Sequence, residues 1–508
     1  MMDLLRRDPF FKDIYDITND LPRFKTYVSG EWRYGEDYYP VTTPIDGSKI
    51  AFAPVSSFET IDESLGLLYD KGRWSIRDTP GFKRVRIAQR IADLLEQHAE
   101  AFVEALVYNS GKTYQQARGE VAASISRLRD ASLDARKIEG EYLPGDWDSS
   151  TLETEGIVRK EPYGVVLGII PFNYPLFDAV SKFTYSMIAG NAVILKPPSA
   201  DPLPVIMFAK VVEESGFPKT AFSIASVPGR EADKLVSDQR ISVISFTGSS
   251  STGKQVLRSG GIKQYIMELG GGDPAVILSD ADISKSASLV AAGIYSYAGQ
   301  RCDAIKLILV ENPVYNDFKD SLIKELSKVV VGDPRRQETT MGPLISRDAV
   351  DKALEAVRNA VSHGGVVLYG GERLGDTYML PTLVELRDHH ELVKTTLYTE
   401  EVFAPVSLIT SFNNLEEAVK LINGRRQGLD LAVFGSSIDK IRYLVRYSEV
   451  GAVYVNDMPR HGIGYYPFGG RKESGIGREG IGYSIEYVMA TKTIIYNFKG
   501  KGIYHYLI

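Results

Sequence analysis

Short apolar runs rich in β-branched residues, each followed by a helix-length segment, constrain this chain more than any other feature. Val165-Val166-Leu167-Gly168-Ile169-Ile170, Ala192-Val193-Ile194-Leu195 and Ser242-Val243-Ile244-Ser245-Phe246-Thr247 carry no charged side chain, and the first two carry no polar one. A strand with one wet face alternates polar and apolar residues, whereas a run apolar on both faces needs cover on both sides. Parallel sheets supply that cover, because each crossover between parallel neighbours lays a helix on one face. Residues 160–268 therefore read as an open α/β unit of the nucleotide-binding kind. A second series, Pro274–Leu278, Leu307–Val310, Leu431–Phe434 and Ala452–Val455, with a helix from about Asp348 to His363, predicts another α/β unit. Two units suit 508 residues, too many for one core.

Ahead of these strands the period is helical. Apolar residues recur every three or four positions from Arg84 to Tyr108, which predicts one long amphipathic helix. A second helix is expected from about Thr113 to Lys137, after the Ser110-Gly111 break. At the far end, Thr491-Lys492-Thr493-Ile494-Ile495-Tyr496 alternates polar and apolar residues, as a strand exposed on one side does, and such a strand often pairs across a subunit boundary. The balance of 65 acidic against 59 basic residues gives a net charge of −6, which argues against nucleic acid as a partner. No secretory signal and no apolar run long enough for a membrane span is evident. Six scattered histidines show no metal-ligand spacing, so no metal is expected.

Cys302 is the sole cysteine, so no disulfide forms within the chain and a cytoplasmic location is expected. A lone thiol serves packing, metal contact or reactivity. Two glycine turns bear on cofactors. Gly248-Ser249-Ser250-Ser251-Thr252-Gly253-Lys254-Gln255 follows a strand and fits the start of a P-loop, but Gln255 replaces the Ser or Thr that would hold Mg²⁺. The turn is compatible with a capped helix start, and with a dinucleotide pyrophosphate resting on helix N–H groups. Val227-Pro228-Gly229-Arg230-Glu231 is a weaker signal.

Seven segments in order carry a stronger message: Pro171-Phe172-Asn173-Tyr174-Pro175, Leu195-Lys196-Pro197-Pro198-Ser199, Phe246-Thr247-Gly248-Ser249, Glu268-Leu269-Gly270-Gly271, Gly299-Gln300-Arg301-Cys302, Glu400-Glu401-Val402-Phe403-Ala404-Pro405 and Pro467-Phe468-Gly469-Gly470. Together they resemble the aldehyde dehydrogenase superfamily, from about Tyr27 to the terminal strand. The resemblance implies an α/β fold of that superfamily, with a Rossmann-like cofactor domain (1–140 and 161–268), a catalytic domain (269–484) and a small β oligomerisation arm (141–160 and 485–508). It further implies a homodimer or homotetramer.

The chemistry of that superfamily suits these residue types. A thiolate forms a tetrahedral adduct with an aldehyde, so the resemblance makes Cys302 the nucleophile. It makes the Asn173 amide and the Cys302 backbone N–H the oxyanion donors, Glu268 the general base, and Lys182 a support of the site. Lys196, Ser199, Gly229, Arg230, Phe246, Thr247, Gly248, Ser249, Glu401 and Phe403 would bind the cofactor. A glutamate where Ser199 stands marks members restricted to NAD; its absence predicts NADP, with NAD use left open. Glu479 matches a carboxylate that some members use for proton exit.

Several details are most similar to non-phosphorylating glyceraldehyde-3-phosphate dehydrogenase: Phe172 and Tyr174, Lys196-Pro197-Pro198, Arg301, and Tyr483-Ser484-Ile485-Glu486. That resemblance assigns Tyr174 and Arg301 to a substrate phosphate. Two arginines of the subfamily are missing, at Ala123 and His461; Arg127, one helical turn from Ala123, and Arg460 are the candidate replacements. The expected activity is NADP-dependent oxidation of glyceraldehyde 3-phosphate to 3-phosphoglycerate, against a semialdehyde or broad aldehyde dehydrogenase. A P-loop NTPase and a CoA-acylating enzyme are the readings set aside.

Overall fold

The computed structural model describes residues 3–462 and 464–498. Among these residues the largest sheet has eight strands, in the spatial order Gly475–Ile476, Gln264–Glu268, Val243–Thr247, Val165–Ile169, Ala192–Lys196, Phe222–Ile224, Thr26–Val28 and Glu31–Arg33. The run from Gln264–Glu268 to Phe222–Ile224 is parallel throughout. Its apolar strands are covered on both faces: Val165, Val166, Leu167, Val193 and Ile194 have no exposed surface. The helix Pro175–Ala189 that lies against them is buried along its whole length, so no face of it meets solvent, and its polar residues Asp178 and Lys182 are buried with it.

A second sheet orders Val366–Tyr369, Thr382–Glu385, Val406–Phe412, Ile305–Glu311, Asp273–Ile277, Asp430–Phe434 and Ala452–Val455, parallel except at the first pair. A separate antiparallel sheet joins Met489–Asn497 to Thr154–Pro162 and Glu141–Pro144. Its residues Ile157, Tyr142, Ile495 and Tyr496 are exposed. Residues 499–508 of the expected arm lie outside the described residues. After the second sheet the chain returns to the first, where Gly475 and Ile476 pair with Glu268 and Met267.

The expected helix over Arg84–Tyr108 is two helices, Gly81–Gln97 and Ala99–Ser110. Periodicity continues through the break because both helices pack on one core, but His98 leaves helical geometry. Its ring stacks on Phe10 and its Nδ1 meets Asp8 Oδ2 at 2.6 Å. The next helix likewise divides at Asp130, into Tyr114–Arg129 and Ala131–Ala135. An N-terminal sheet of Tyr15–Thr18, Leu21–Phe24, Lys49–Val55 and Asp37–Thr42 has no counterpart in the sequence reading. Its short strands mix prolines and charges with apolar residues, which hides the period of two. Among the described residues, no helix is long and apolar enough to cross a membrane.

Candidate active site

The carboxyl ends of the parallel strands converge on one crevice, where ligands of open α/β sheets bind. Lys196 closes one strand, Thr247 the next and Glu268 the third. Asn173 follows a fourth, on the turn that starts the helix Pro175–Ala189. Cys302 comes from the other side, on the loop before the strand Ile305–Glu311 of the second sheet. Gly271 lets this loop approach. A Cβ there would collide with the Cys302 carbonyl, which accepts a hydrogen bond from Gly272 N at 3.2 Å.

The Cys302 loop is held from several directions. Tyr297, Ala298 and Gly299 are successive residues with φ between 51° and 65°, a strained conformation for the first two. Gln300 secures it by accepting from Ile345 N at 2.7 Å, and Lys306 Nζ donates to the Gly299 carbonyl at 3.0 Å. Lys306 also donates to the Ala404 carbonyl, tying the cysteine loop to the segment of Glu401 and Phe403. Sequence reasoning missed Lys306, since a lysine inside an apolar strand carries no motif.

A cavity of about 530 Å³ unites Cys302, Glu268, Asn173, Tyr174, Arg301, Thr247, Arg460 and His461. Burial, and then the charges of Asp303 and Glu401, raise the Cys302 thiol well above its ordinary value, so the resting group is a thiol. Burial likewise raises Glu268 well above the carboxylate range, with Glu479 adding to the effect. Among the described residues, no side-chain hydrogen bond reaches either Glu268 oxygen. Gly469, with φ of +144°, keeps the space beside the carboxylate open, since a Cβ there would sit 3.0 Å from Glu268 Oε1.

Lys182 is fully buried. Its Nζ lies 2.6 Å from Glu479 Oε1 and 3.5 Å from Asp178 Oδ1. Burial alone would raise Glu479, but Lys182 holds it below its usual value. Asp178 is pushed up to about 7 by burial, which outweighs the same lysine. Lys112 and Glu120, absent from the sequence reading, also line the cavity as a buried ion pair. Lys112 Nζ sits 4.0 Å from the Tyr174 ring centre, and Glu120 Oε1 accepts from Leu176 N and Phe177 N. Glu120 thus caps the helix that Asn173 precedes.

One expected anion contact, Arg127, lies away from the cavity, while Arg301, Arg460 and His461 line it. Arg127 does not line the cavity: it is 1% exposed and its Nη2 lies 2.8 Å from Asp134 Oδ2, because it occupies the inward face of its helix. Arg301 lines the cavity but is paired with Asp303. Arg460 stands exposed beside Asp457. His461 packs against Phe177 and Phe468, and burial lowers its pKa.

A second groove, of about 710 Å³, runs past Phe172, Glu401 and Phe403. Phe172 and Phe403 meet edge to face at 5.8 Å. Glu401 Oε1 accepts from Gly271 N at 3.0 Å. The crevice fits a dinucleotide. Lys196 Nζ donates to the Pro197 carbonyl at 3.2 Å, has no carboxylate partner among the described residues, and is pulled down to about 8 by burial. Ser199 is exposed nearby. Ser249 caps the helix Ser250–Gly260, as its Oγ accepts from Thr252 N at 3.3 Å, and Gly248 lies over the Phe246 ring. Lys254, the would-be P-loop lysine, instead pairs with Glu473 at 2.7 Å. Gly229 begins the turn Gly229–Glu231; the side chain of Arg230 lies outside the described part.

Comparison with known proteins agrees with this geometry. The model of the aldehyde dehydrogenase family matches residues 32–494. A sulfoacetaldehyde dehydrogenase of Neptuniibacter caesariensis is 31% identical over 457 residues, 90% of this chain and 99% of the relative. An NADP-dependent glyceraldehyde-3-phosphate dehydrogenase of Streptococcus equinus is 31% identical over 484 residues, 94% of this chain and 99% of the relative. The crystal structure of NADP-dependent glyceraldehyde-3-phosphate dehydrogenase from Bacillus halodurans C-125, complexed with NADP, superposes with a TM-score of 0.89 at 28% identity, over 93% of this chain and 99% of that one. A sole cysteine facing a buried glutamate between two α/β sheets, and a family match over most of the chain, lead to one conclusion: the protein belongs to the aldehyde dehydrogenase family.

Proposed function

We propose that the protein oxidises a short aldehyde bearing a distal oxyanion to the carboxylic acid, with NADP as acceptor, and that glyceraldehyde 3-phosphate is the leading substrate. The observation that carries this reading is the set of basic and hydrogen-bonding groups, Arg301, Arg460, His461 and Tyr174, that shares one cavity with Cys302. The two relatives named above act on aldehydes with a sulfonate and a phosphate, and both anions suit such a wall.

In this reading Cys302 gives its thiol proton to solvent water, its Sγ bonds to the carbonyl carbon as the C=O π bond opens, and the Asn173 amide and Cys302 N–H donate to the oxygen as its charge develops. NADP, when bound, takes up the hydride that leaves the adduct. The remaining thioester on Cys302 is opened by water, with Glu268 accepting the water proton. The buried Lys182–Glu479 pair behind Glu268 fixes the electrostatic setting of that base. Subunit association through the three-stranded sheet and assignment of 1–140 with 161–268 to the cofactor are parts of the same proposal.

The substrate test compares kcat/KM for glyceraldehyde 3-phosphate, glyceraldehyde and succinate semialdehyde. A preference of about tenfold or more for the phosphorylated compound over glyceraldehyde is expected, one charge-assisted contact's worth; no preference removes the reading. A second reading, a semialdehyde substrate, rests on Arg460, whose exposed guanidinium lines the same cavity and suits a carboxylate as well as a phosphate. For the cofactor, Ser199→Glu restores the ribose-binding carboxylate and is expected to weaken NADP binding by about tenfold or more while sparing NAD. Titrating both cofactors by protein fluorescence checks this, and unchanged NADP affinity removes Ser199 from the assignment.

A further inference from the structure

Arg301 and Asp303 flank the nucleophile in sequence, and both face the cavity around it. Arg301 Nη2 lies 2.9 Å from Asp303 Oδ1 and donates to the Pro459 carbonyl at 2.7 Å. Each of the two side chains is only 5% exposed, so water and salt screen the pair little. Both contacts use Nη2, and among the described residues no further hydrogen bond engages the Nε–H or Nη1–H groups. The Asp303 charge also acts on Cys302, where it is the leading electrostatic contribution, after burial, that keeps the thiol protonated. One carboxylate thus faces both the nucleophile and the Arg301 guanidinium.

We infer that Asp303 is a specificity-determining residue: it cancels the charge of Arg301 while leaving its N–H groups free, so the inner cavity selects an oxygen that accepts hydrogen bonds and rejects concentrated negative charge. A distal anion is met nearer the mouth, where the Arg460 side chain is 60% exposed. The favoured class is a hydroxyaldehyde whose 2-oxygen meets Arg301 and whose anion lies farther out. This rests on the proposed placement of the substrate in the cavity, and it concerns how Asp303 sets selectivity rather than which aldehyde the unaltered enzyme prefers.

Asp303→Asn keeps the shape and removes the charge; Asp303→Ser does so with a smaller side chain. The test measures, for wild type and variants, the ratio of kcat/KM for succinate semialdehyde to that for butanal, equal in chain length and different in charge. A rise of about tenfold is expected when Arg301 regains its net charge, and Asp303→Glu is expected to stay within about twofold of wild type. A cofactor-free readout accompanies it. Cys302 is the sole cysteine, so its alkylation by iodoacetamide reports occupancy of the cavity, and 3-phosphoglycerate is expected to protect Asp303→Asn at about tenfold lower concentration than wild type. Each protection curve is scaled to that variant's own unprotected rate. Unchanged ratio and protection in either folded charge-removing variant overturn the inference. A wild type that prefers glyceraldehyde over its phosphate, with a rise on substitution, overturns only the substrate proposal and leaves this one standing.

Discussion

Glu268→Gln is expected to stall the enzyme after its first half-reaction. Steady-state turnover falls by about 10²–10⁴-fold, the range for loss of a general base, while one equivalent of reduced cofactor per subunit still forms rapidly. The amide preserves the shape of the buried side chain and removes its ability to take a proton from water. The thioester therefore accumulates on Cys302. Mass spectrometry of quenched enzyme reads that species without ambiguity, because Cys302 is the one thiol in the chain. Loss of the burst together with turnover would instead place Glu268 in activation of the thiol, and a variant with full turnover would remove it from the mechanism.

Lys182→Met is expected to destabilise the protein by about 3–5 kcal/mol, the cost of leaving a buried charge without its partner. The lysine has no exposed surface and sits between Glu479 and Asp178, so its removal strands carboxyl groups that water cannot reach. The sign with pH follows. In wild type Glu479 is held below its unfolded value, so its stabilisation is present above that value and lost on acidification. In the variant the same group is raised by burial, so its penalty fades as pH falls toward protonation. The gap between the two proteins in urea unfolding midpoints therefore narrows from neutral pH toward about pH 4–5. Adding Glu479→Gln to Lys182→Met is expected to restore most of the loss, and strict additivity of the two substitutions would show that the pair does not act as a unit.

Sequence alone made the parallel strands legible, because Val165–Ile169 and Ala192–Lys196 are apolar on both faces and little else produces such runs. It made Cys302, Glu268 and Asn173 legible as chemistry through their ordered motifs, and the fold places them around one cavity. It misread distance across a helix turn. Arg127 stands one turn from Ala123, yet Ala123 faces the cavity while Arg127 points into the protein toward Asp134. Four residues advance the helix by about 6 Å along its axis and about 40° beyond a full turn, and that displacement seats the guanidinium on Asp134 instead of in the cavity. Lys112, Glu120 and Lys306 were invisible for another reason. Their partners lie on other elements or bind through backbone carbonyls, and no local pattern records such contacts.

The return of the chain to its first sheet has a consequence for how activity is acquired. Glu268 ends a strand of the eight-stranded sheet and is paired there with Gly475, a residue that follows the whole second sheet in sequence. Cys302 lies on the loop that enters that second sheet. Neither sheet alone holds nucleophile and base together, and the edge strand that braces the base comes from the part of the chain that follows the second sheet. A nascent or truncated chain thus exposes a thiol without the machinery to resolve an acyl group on it, and the reaction becomes available only once the last hundred residues are in place.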